Sequence, residues 1–274
     1  MRNVLLQNET NFTIVRFQDG KLSQTDDTIV TEFPITIKLN QEEFATLVCT
    51  PEHLEEMVIG FLASENVIKS ISDIEDLWIE EGRGFAHLTV KQKPQLYEKF
   101  RSKRYITSCC GMSRQSFYFV NDALTVKKLH NVKLTLSPGE CISLMRSMQQ
   151  EAATFKRTGG VHNAALCGKD GMILMRMDIG RHNALDKLYG YCIQNSIPTS
   201  DKVLVFSGRI SSEILIKASK MGCPVVLSKA APTELALELA NNLGITTVGF
   251  IRNQSFNIYT HDWRITKEET EMGS

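Results

Sequence analysis

Two thiols stand side by side at Cys109 and Cys110, within Thr107-Ser108-Cys109-Cys110-Gly111-Met112-Ser113. No strand or helix period runs through this stretch, so it reads as a loop. A basic segment from Arg101 to Arg104, with Lys103 inside it, lies just upstream. Positive charge near a thiol lowers its pKa and enlarges the thiolate fraction, and the thiolate is the reactive form. A thiol on an exposed, glycine-hinged loop can also reach into a partner's active site. The competing reading makes the two cysteines small hydrophobes in a turn.

A second kind of chemistry recurs further along. Four junctions carry polar residues unlike the apolar runs around them. In Thr158-Gly159-Gly160-Val161-His162-Asn163-Ala164 the paired glycines allow backbone amides to aim at one point. In Asp178-Ile179-Gly180-Arg181-His182-Asn183-Ala184-Leu185-Asp186-Lys187 a strand ends, glycine turns the chain and a helix opens. Arg181, His182 and free amides at a helix N-terminus form a favourable place for phosphate. Ser207-Gly208-Arg209 repeats that logic with another arginine, and Ser228 to Thr233 opens a helix at Ala231-Pro232-Thr233. In a parallel α/β sheet such junctions gather at the carboxyl ends of strands, where ligands bind. Each also has a structural reading: Asp178 paired with Arg181, Ser207 and Thr233 as helix caps, His162 as a satisfied buried imidazole. Neither a Walker loop nor a G-x-G-x-x-G fingerprint is present. Zinc deaminase chemistry is disfavoured, because His162 has no Glu two residues on and no C-x-x-C occurs.

The elements that position these residues fall into two groups. Asn11 to Phe17, Ile29 to Leu39 and Phe44 to Val48 read as strands, with Ile35, Ile37 and Leu39 on one face. Thr50-Pro51-Glu52 reads as a helix start, and Leu54, Val58, Phe61 and Leu62 follow at helical spacing. Leu77 to Ile79 and Phe85 to Val90 form an expected hairpin around Gly82-Arg83-Gly84. Ser137-Pro138-Gly139-Glu140 is a capping box, followed by an apolar stripe of Ile142, Met145, Met148, Ala152 and Phe155. Strands then fall at Val161 to Leu166, Met172 to Met177, Val203 to Phe206, Pro224 to Leu227 and Thr246 to Ile251. Helices fall at Asn183 to Tyr191, Ser212 to Met221 and Thr233 to Leu243. The alternation from Asp201 onward predicts parallel pairs in a layered α/β domain. The expected organisation is a small antiparallel α+β domain over 1–105, a cysteine loop and linker over 106–136, a layered α/β domain over 137–265 and a frayed tail over 266–274.

At 274 residues the chain suits two modest domains. Its formal net charge of zero argues against general nucleic-acid binding, which needs a basic excess. Met1 to Thr10 has no apolar signal region, and no apolar run approaches the roughly 20 residues of a membrane span. Seven scattered cysteines, an odd number, fit a reducing cytoplasm.

The ordered motifs from Glu32-Phe33-Pro34 to Tyr259-Thr260 resemble the formate dehydrogenase accessory sulfurtransferase family (FdhD). They include Thr50 to Ile68, Cys110-Gly111, Thr158 to Ala164, Asp178 to Lys187, Ser207-Gly208-Arg209, Ala231-Pro232-Thr233 and Gly249 to Thr260. The resemblance implies a sulfurtransferase that takes sulfane sulfur from a cysteine desulfurase as a persulfide on Cys110. The sulfur then passes to the bis-molybdopterin guanine dinucleotide molybdenum cofactor needed by formate dehydrogenase. It implies a cytoplasmic homodimer whose second domain is cytidine-deaminase-like and binds the cofactor's guanine nucleotide portion, with no membrane or nucleic-acid partner and no tightly bound metal of its own. The family's cofactor-binding stretch falls on Phe250, Ile251, Arg252, Asn253, Gln254 and Ser255, and Arg181, His182, Arg209 and Arg252 are the expected ligands of the cofactor's phosphates. Many members carry C-G-x-C-G in the loop. Here Ser113 and Arg114 occupy the second cysteine and glycine positions, so the role of Cys109 is open. The alternatives are a non-catalytic cofactor chaperone and, more remotely, a zinc hydrolase.

Overall fold

The structure, a computed structural model, describes residues 7–91, 104–106 and 126–266. Lys103, the Thr107–Ser113 stretch with Cys109 and Cys110, Arg114 and nearly all of the expected tail lie outside the described residues.

The chain opens with β1 (Glu9–Gln18), β2 (Lys21–Val30), β3 (Phe33–Leu39), β4 (Glu42–Cys49) and α1 (Leu54–Ser64). Next come β5 (Ile74–Glu80), β6 (Phe85–Val90) and β7 (Arg104–Ile106). Two helices follow, α2 (Pro138–Glu151) and α3 (Ala153–Thr158), then β8 (His162–Gly168), β9 (Gly171–Asp178) and α4 (Arg181–Gln194). The remainder is β10 (Val203–Phe206), α5 (Ser212–Met221), β11 (Val225–Ser228), α6 (Glu234–Leu243), β12 (Thr246–Arg252) and β13 (Ser255–Thr260).

Two compact units result, and neither is one continuous piece of chain. Ala152–His162 and Met177–Gly190 gather with the N-terminal strands, while Asn163–Arg176 and the chain from Tyr191 onward form the second unit with α2. The expected organisation cut the chain into successive pieces instead. The physical reason for the interleaving is a set of contacts that α1 and β4 make with the start of α4.

In the first unit a five-stranded sheet runs in the order β5-β6-β3-β4-β7. The hairpins β3–β4 and β5–β6 are antiparallel, as expected, and they are joined through the parallel pair β3–β6. The β3–β4 turn places Asn40 and Gln41 at φ 48° and 72°, the left-handed pair that a tight hairpin needs. Period-two alternation buries Ile35, Ile37 and Leu39 with Leu47, Cys49, Ala86 and Leu88 on one face. β1 and β2 pair separately as a hairpin. β2 escapes a sequence reading because Ser23 to Thr28 is wholly polar; the apolar Leu22 beside it is exposed.

Helix α1 begins at Leu54 rather than at Thr50-Pro51, and His53 at its N-cap is left-handed with φ 54°. Thr50 is not the cap because Asp178 takes both its amide and its hydroxyl. α1 is apolar nearly all round and buried from Met57 to Ser64, as a helix inside a core must be. Gly60 meets α4 backbone to backbone. A methyl there would collide with the Asp186 carbonyl, and one at Gly190 with the Glu56 carbonyl.

The second unit is a six-stranded sheet in the order β13-β12-β11-β10-β8-β9. β10–β11 and β11–β12 are parallel, as the alternation predicts, and β8 and β13 flank them antiparallel. The capping box is present: Glu140 N donates to Ser137 Oγ at 3.1 Å and Ser137 N to Glu140 Oε2 at 2.6 Å. α2 lays Cys141, Leu144, Met145 and Met148 on Val203, Val205, Val225 and Leu227. The expected longer stripe stops short, because α2 ends at Glu151 and Phe155 stands exposed on α3. Leu204, Phe206 and Val226 point to the other face and are equally buried, so both faces of the sheet are covered. Among the described residues no helix is long and apolar enough to cross a membrane.

Candidate functional site

The Asp178–Lys187 run lies in the first unit, and its two ends are tied to each other. Lys187 Nζ lies 2.8 Å from Asp178 Oδ2, and both side chains are fully buried. Asp178 Oδ2 also accepts the Thr50 amide and hydroxyl, each at 3.0 Å. Its Oδ1 accepts Gly180 N at 2.7 Å and Asn183 Nδ2 at 2.9 Å. Asn183 Nδ2 reaches the Val48 carbonyl as well, at 2.9 Å. Lys187 Nζ donates to Thr50 Oγ1 at 2.7 Å and, more loosely, to the Thr50 and Met177 carbonyls. Asp186 accepts Ser64 Oγ of α1 at 2.8 Å. Asp178 is thus paired with Lys187 across the length of the run.

The two residues between these anchors, Arg181 and His182, are half-buried. His162, at the start of β8, belongs to the same electrostatic neighbourhood. Burial, and then the positive charges of Arg181 and His182, hold its imidazole below the ordinary value, while Asp178 pulls the other way. Three basic side chains from two of the four sequence junctions therefore meet in one unit.

The other two junctions meet in the second unit. Ser207 N donates to the Asn163 carbonyl at 3.0 Å, and Asn163 N returns a bond to Ser207 Oγ at 2.9 Å. Ser207 is accordingly a strand-to-strand link, and Ser211 stands at the N-cap of α5. Ser228 Oγ donates to the Gly208 carbonyl at 2.7 Å and accepts Ala230 N at 3.0 Å. Ile210 N reaches Ala231 O, Thr233 N reaches Ile210 O, and Phe250 N reaches Ala230 O. The carboxyl ends of β10, β11 and β12 are laced into one surface in this way. Thr233 caps α6 by position, without a side-chain cap bond.

Arg209 is exposed on that surface, as are Phe250, Arg252, Asn253, Gln254 and Ser255; Ile251 is buried in the core. Phe250 adopts φ 54° and Asn253 φ 53°. A left-handed phenylalanine is uncommon and strained, and it holds its ring 5.6 Å from the Arg252 guanidinium. The predicted ligands thus fall into two sets: Arg181 and His182 in the first unit, Arg209 with Phe250–Ser255 in the second. A cavity of about 630 Å³ lies at the opposite end of the six-stranded sheet, beside Gly168–Gly171, Lys133 and Lys202. It takes in none of these residues. Among the described residues no cluster of three His, Cys, Asp or Glu side chains is placed to hold a metal.

Five of the seven cysteines are described, and all five are buried. Burial pushes the Cys141 and Cys167 thiols up to about 12. It raises Cys49 and Cys223 further, with Asp178 adding to the effect at Cys49. None of these four is a ready thiolate.

The sequence model of the FdhD/NarQ family matches residues 30–266. The chain belongs to the FdhD/NarQ family. Relatives in that family named "Sulfur carrier protein FdhD" include one from Shouchella clausii (strain KSM-K16). It is 53% identical over 258 residues, which covers 94% of this chain and 97% of the relative. Another, from Bacillus subtilis (strain 168), is 54% identical over 250 residues, covering 91% and 95%. In fold the chain matches the crystal structure of a putative formate dehydrogenase accessory protein from Desulfotalea psychrophila. The TM-score is 0.77 at 22% identity, over 95% of this chain and all of that one. In this FdhD/NarQ member two positions play roles beyond their local sequence pattern. Thr50 read as a helix cap and is instead the hinge of a buried network. Lys187 read as one letter of a motif. The helical spacing of Asn183, Lys187 and Gly190 on one face of α4 is the signal that marks Lys187 as inward-facing.

Proposed function

We propose that this chain is a sulfur carrier for formate dehydrogenase maturation, with Cys110 as the sulfur-bearing residue. The Cys110 thiolate attacks the outer sulfur of a persulfide on a cysteine desulfurase, and the donor cysteine leaves as its thiolate. The sulfane sulfur then passes to the reduced molybdenum of the bis-molybdopterin guanine dinucleotide cofactor, a substrate here rather than a resident group. The S–S bond breaks, Cys110 leaves as its thiolate, and the metal supplies the two electrons that make the sulfur a sulfido ligand. The Phe250–Ser255 stretch binds that cofactor, and Arg181, His182, Arg209 and Arg252 bind its phosphates. Residence in the cytoplasm and a homodimeric state belong to the same proposal, and seven scattered cysteines suit a reducing compartment.

The observation that carries this reading is the burial of every described cysteine. A sulfur carrier needs a thiolate that a partner can reach, and Cys109 and Cys110 are the remaining candidates. Cys110 is chosen over Cys109 by its alignment with the family's C-G step. The relatives' name, sulfur carrier protein, supports the same class of activity.

The test is intact-protein mass spectrometry after incubation with cysteine and a cysteine desulfurase. The expected result is a gain of one sulfur, reversed by dithiothreitol, absent in Cys110→Ala and present in Cys109→Ala. Loss only in Cys109→Ala would move the chemistry by one residue. No gain in any sample, with nucleotide binding intact, would favour a cofactor chaperone instead.

A further inference from the structure

The Asp178–Lys187 pair is an odd way to hold a core together. Burying two charges carries a desolvation penalty of several kcal/mol per ion, and well-packed apolar residues of similar volume often serve stability as well or better. What such residues could not reproduce is the set of directed bonds. Through Asp178 the pair fixes Gly180 and Asn183, and through Thr50 it fixes the end of β4. Gly180 has room for no side chain, since a methyl would stand 2.8 Å from Asn183 Nδ2. Positions 178, 180, 183 and 187 are thereby locked, and Arg181 and His182 are carried between them.

We propose that Asp178, Lys187 and Thr50 are positioning residues for Arg181 and His182, forming a dry frame that never touches the ligand but sets where those two basic groups stand. The pair also has an electrostatic effect. A lone Asp178 carboxylate would offset the positive potential of Arg181 and His182. With Lys187 beside it, the pair is neutral and the basic cluster keeps its attraction for phosphate. This inference rests on the nucleotide-binding role assigned above.

The experiment uses the full chain and guanosine 5′-diphosphate as probe, with binding measured by calorimetry. Thr50→Val removes the shared hydroxyl at small cost in shape, and Thr50→Ser restores it. Lys187→Met is the harsher variant. The expected result is at least tenfold weaker binding by Thr50→Val, below its melting transition, and recovery to within twofold by Thr50→Ser. In an Arg181→Ala background Thr50→Val should add less than twofold, because a residue acting through Arg181 has nothing left to position. Hydrogen exchange should quicken at Ile179–Asn183 and little elsewhere. Unchanged binding by Thr50→Val overturns the inference. So do full, independent losses in the double variant, or exchange that quickens throughout the unit, which mark a merely structural role. Failure of the unaltered chain to bind the probe is a different result: it sinks the nucleotide reading itself and this inference with it.

Discussion

Asp178–Asn183 and Ser207–Ser211 both carry a strand into a helix through a glycine, yet different forces hold them. The first is pinned by a buried carboxylate and ammonium that are wholly out of water. The second is pinned by main-chain bonds and the hydroxyls of Ser207 and Ser228. The basic side chains follow suit: Arg181 is half-buried and Arg209 is exposed. A turn that must hold a guanidinium in one orientation benefits from a rigid support. A turn that offers an arginine to an incoming ligand at the surface can leave that side chain mobile.

The contrast can be broken most forcefully at Lys187. Lys187→Met leaves the Asp178 carboxylate buried and uncompensated, and should lower unfolding stability by about 3–5 kcal/mol in denaturant titration. A loss below 1 kcal/mol would mean that the pair is not the anchor described here. The matching change at the other turn is Ser228→Ala, which strips a bond from the Gly208 carbonyl and from the Ala230 amide. Its expected cost is smaller, about 1–3 kcal/mol, and a cost equal to that of Lys187→Met would erase the distinction.

The smallest effect sharpens the electrostatics of the first turn. His162 is held below its ordinary value of 6.5 by burial and by Arg181 and His182. The unfolded chain therefore takes up this proton at higher pH than the folded protein does. The stability tied to the neutral imidazole is present above pH 6.5 and is lost as pH falls through the folded pKa. Stability curves for His162→Gln should be flatter than wild type over that acid window. Parallel curves would show that His162 titrates alike in both states.

How far all this could be read from the sequence differs between the same two regions. In the second unit local pattern and final structure agree: β10 and α5 fall on the expected residues, since each is an apolar run or a capped amphipathic stretch. The exposed loops at the carboxyl ends of β10, β11 and β12 follow from that alternation. In the first unit the decisive partners are far apart in the chain. Thr50 has every local mark of a helix cap, and nothing within ten residues of it indicates that Asp178 will claim its hydroxyl. Local propensity yields there to a long-range bond of higher energy. β2 is hidden for the opposite reason: with polar residues on both faces over Ser23 to Thr28, it carries no alternation to detect.

The Gly60–Gly190 crossing has a consequence for how the molecule comes into being. α1 reaches the exit of the ribosome long before α4 exists, and Thr50 must wait for a residue 128 positions later. A nascent chain stopped short of Asp178 would present the bare face of α1 and the open end of β4, with no carboxylate for Thr50. Folding from the N-terminus, one unit at a time, is therefore closed to this chain. Its first unit should finish late, over a slow and long-range closure. Until then its most apolar helix must be kept from other chains.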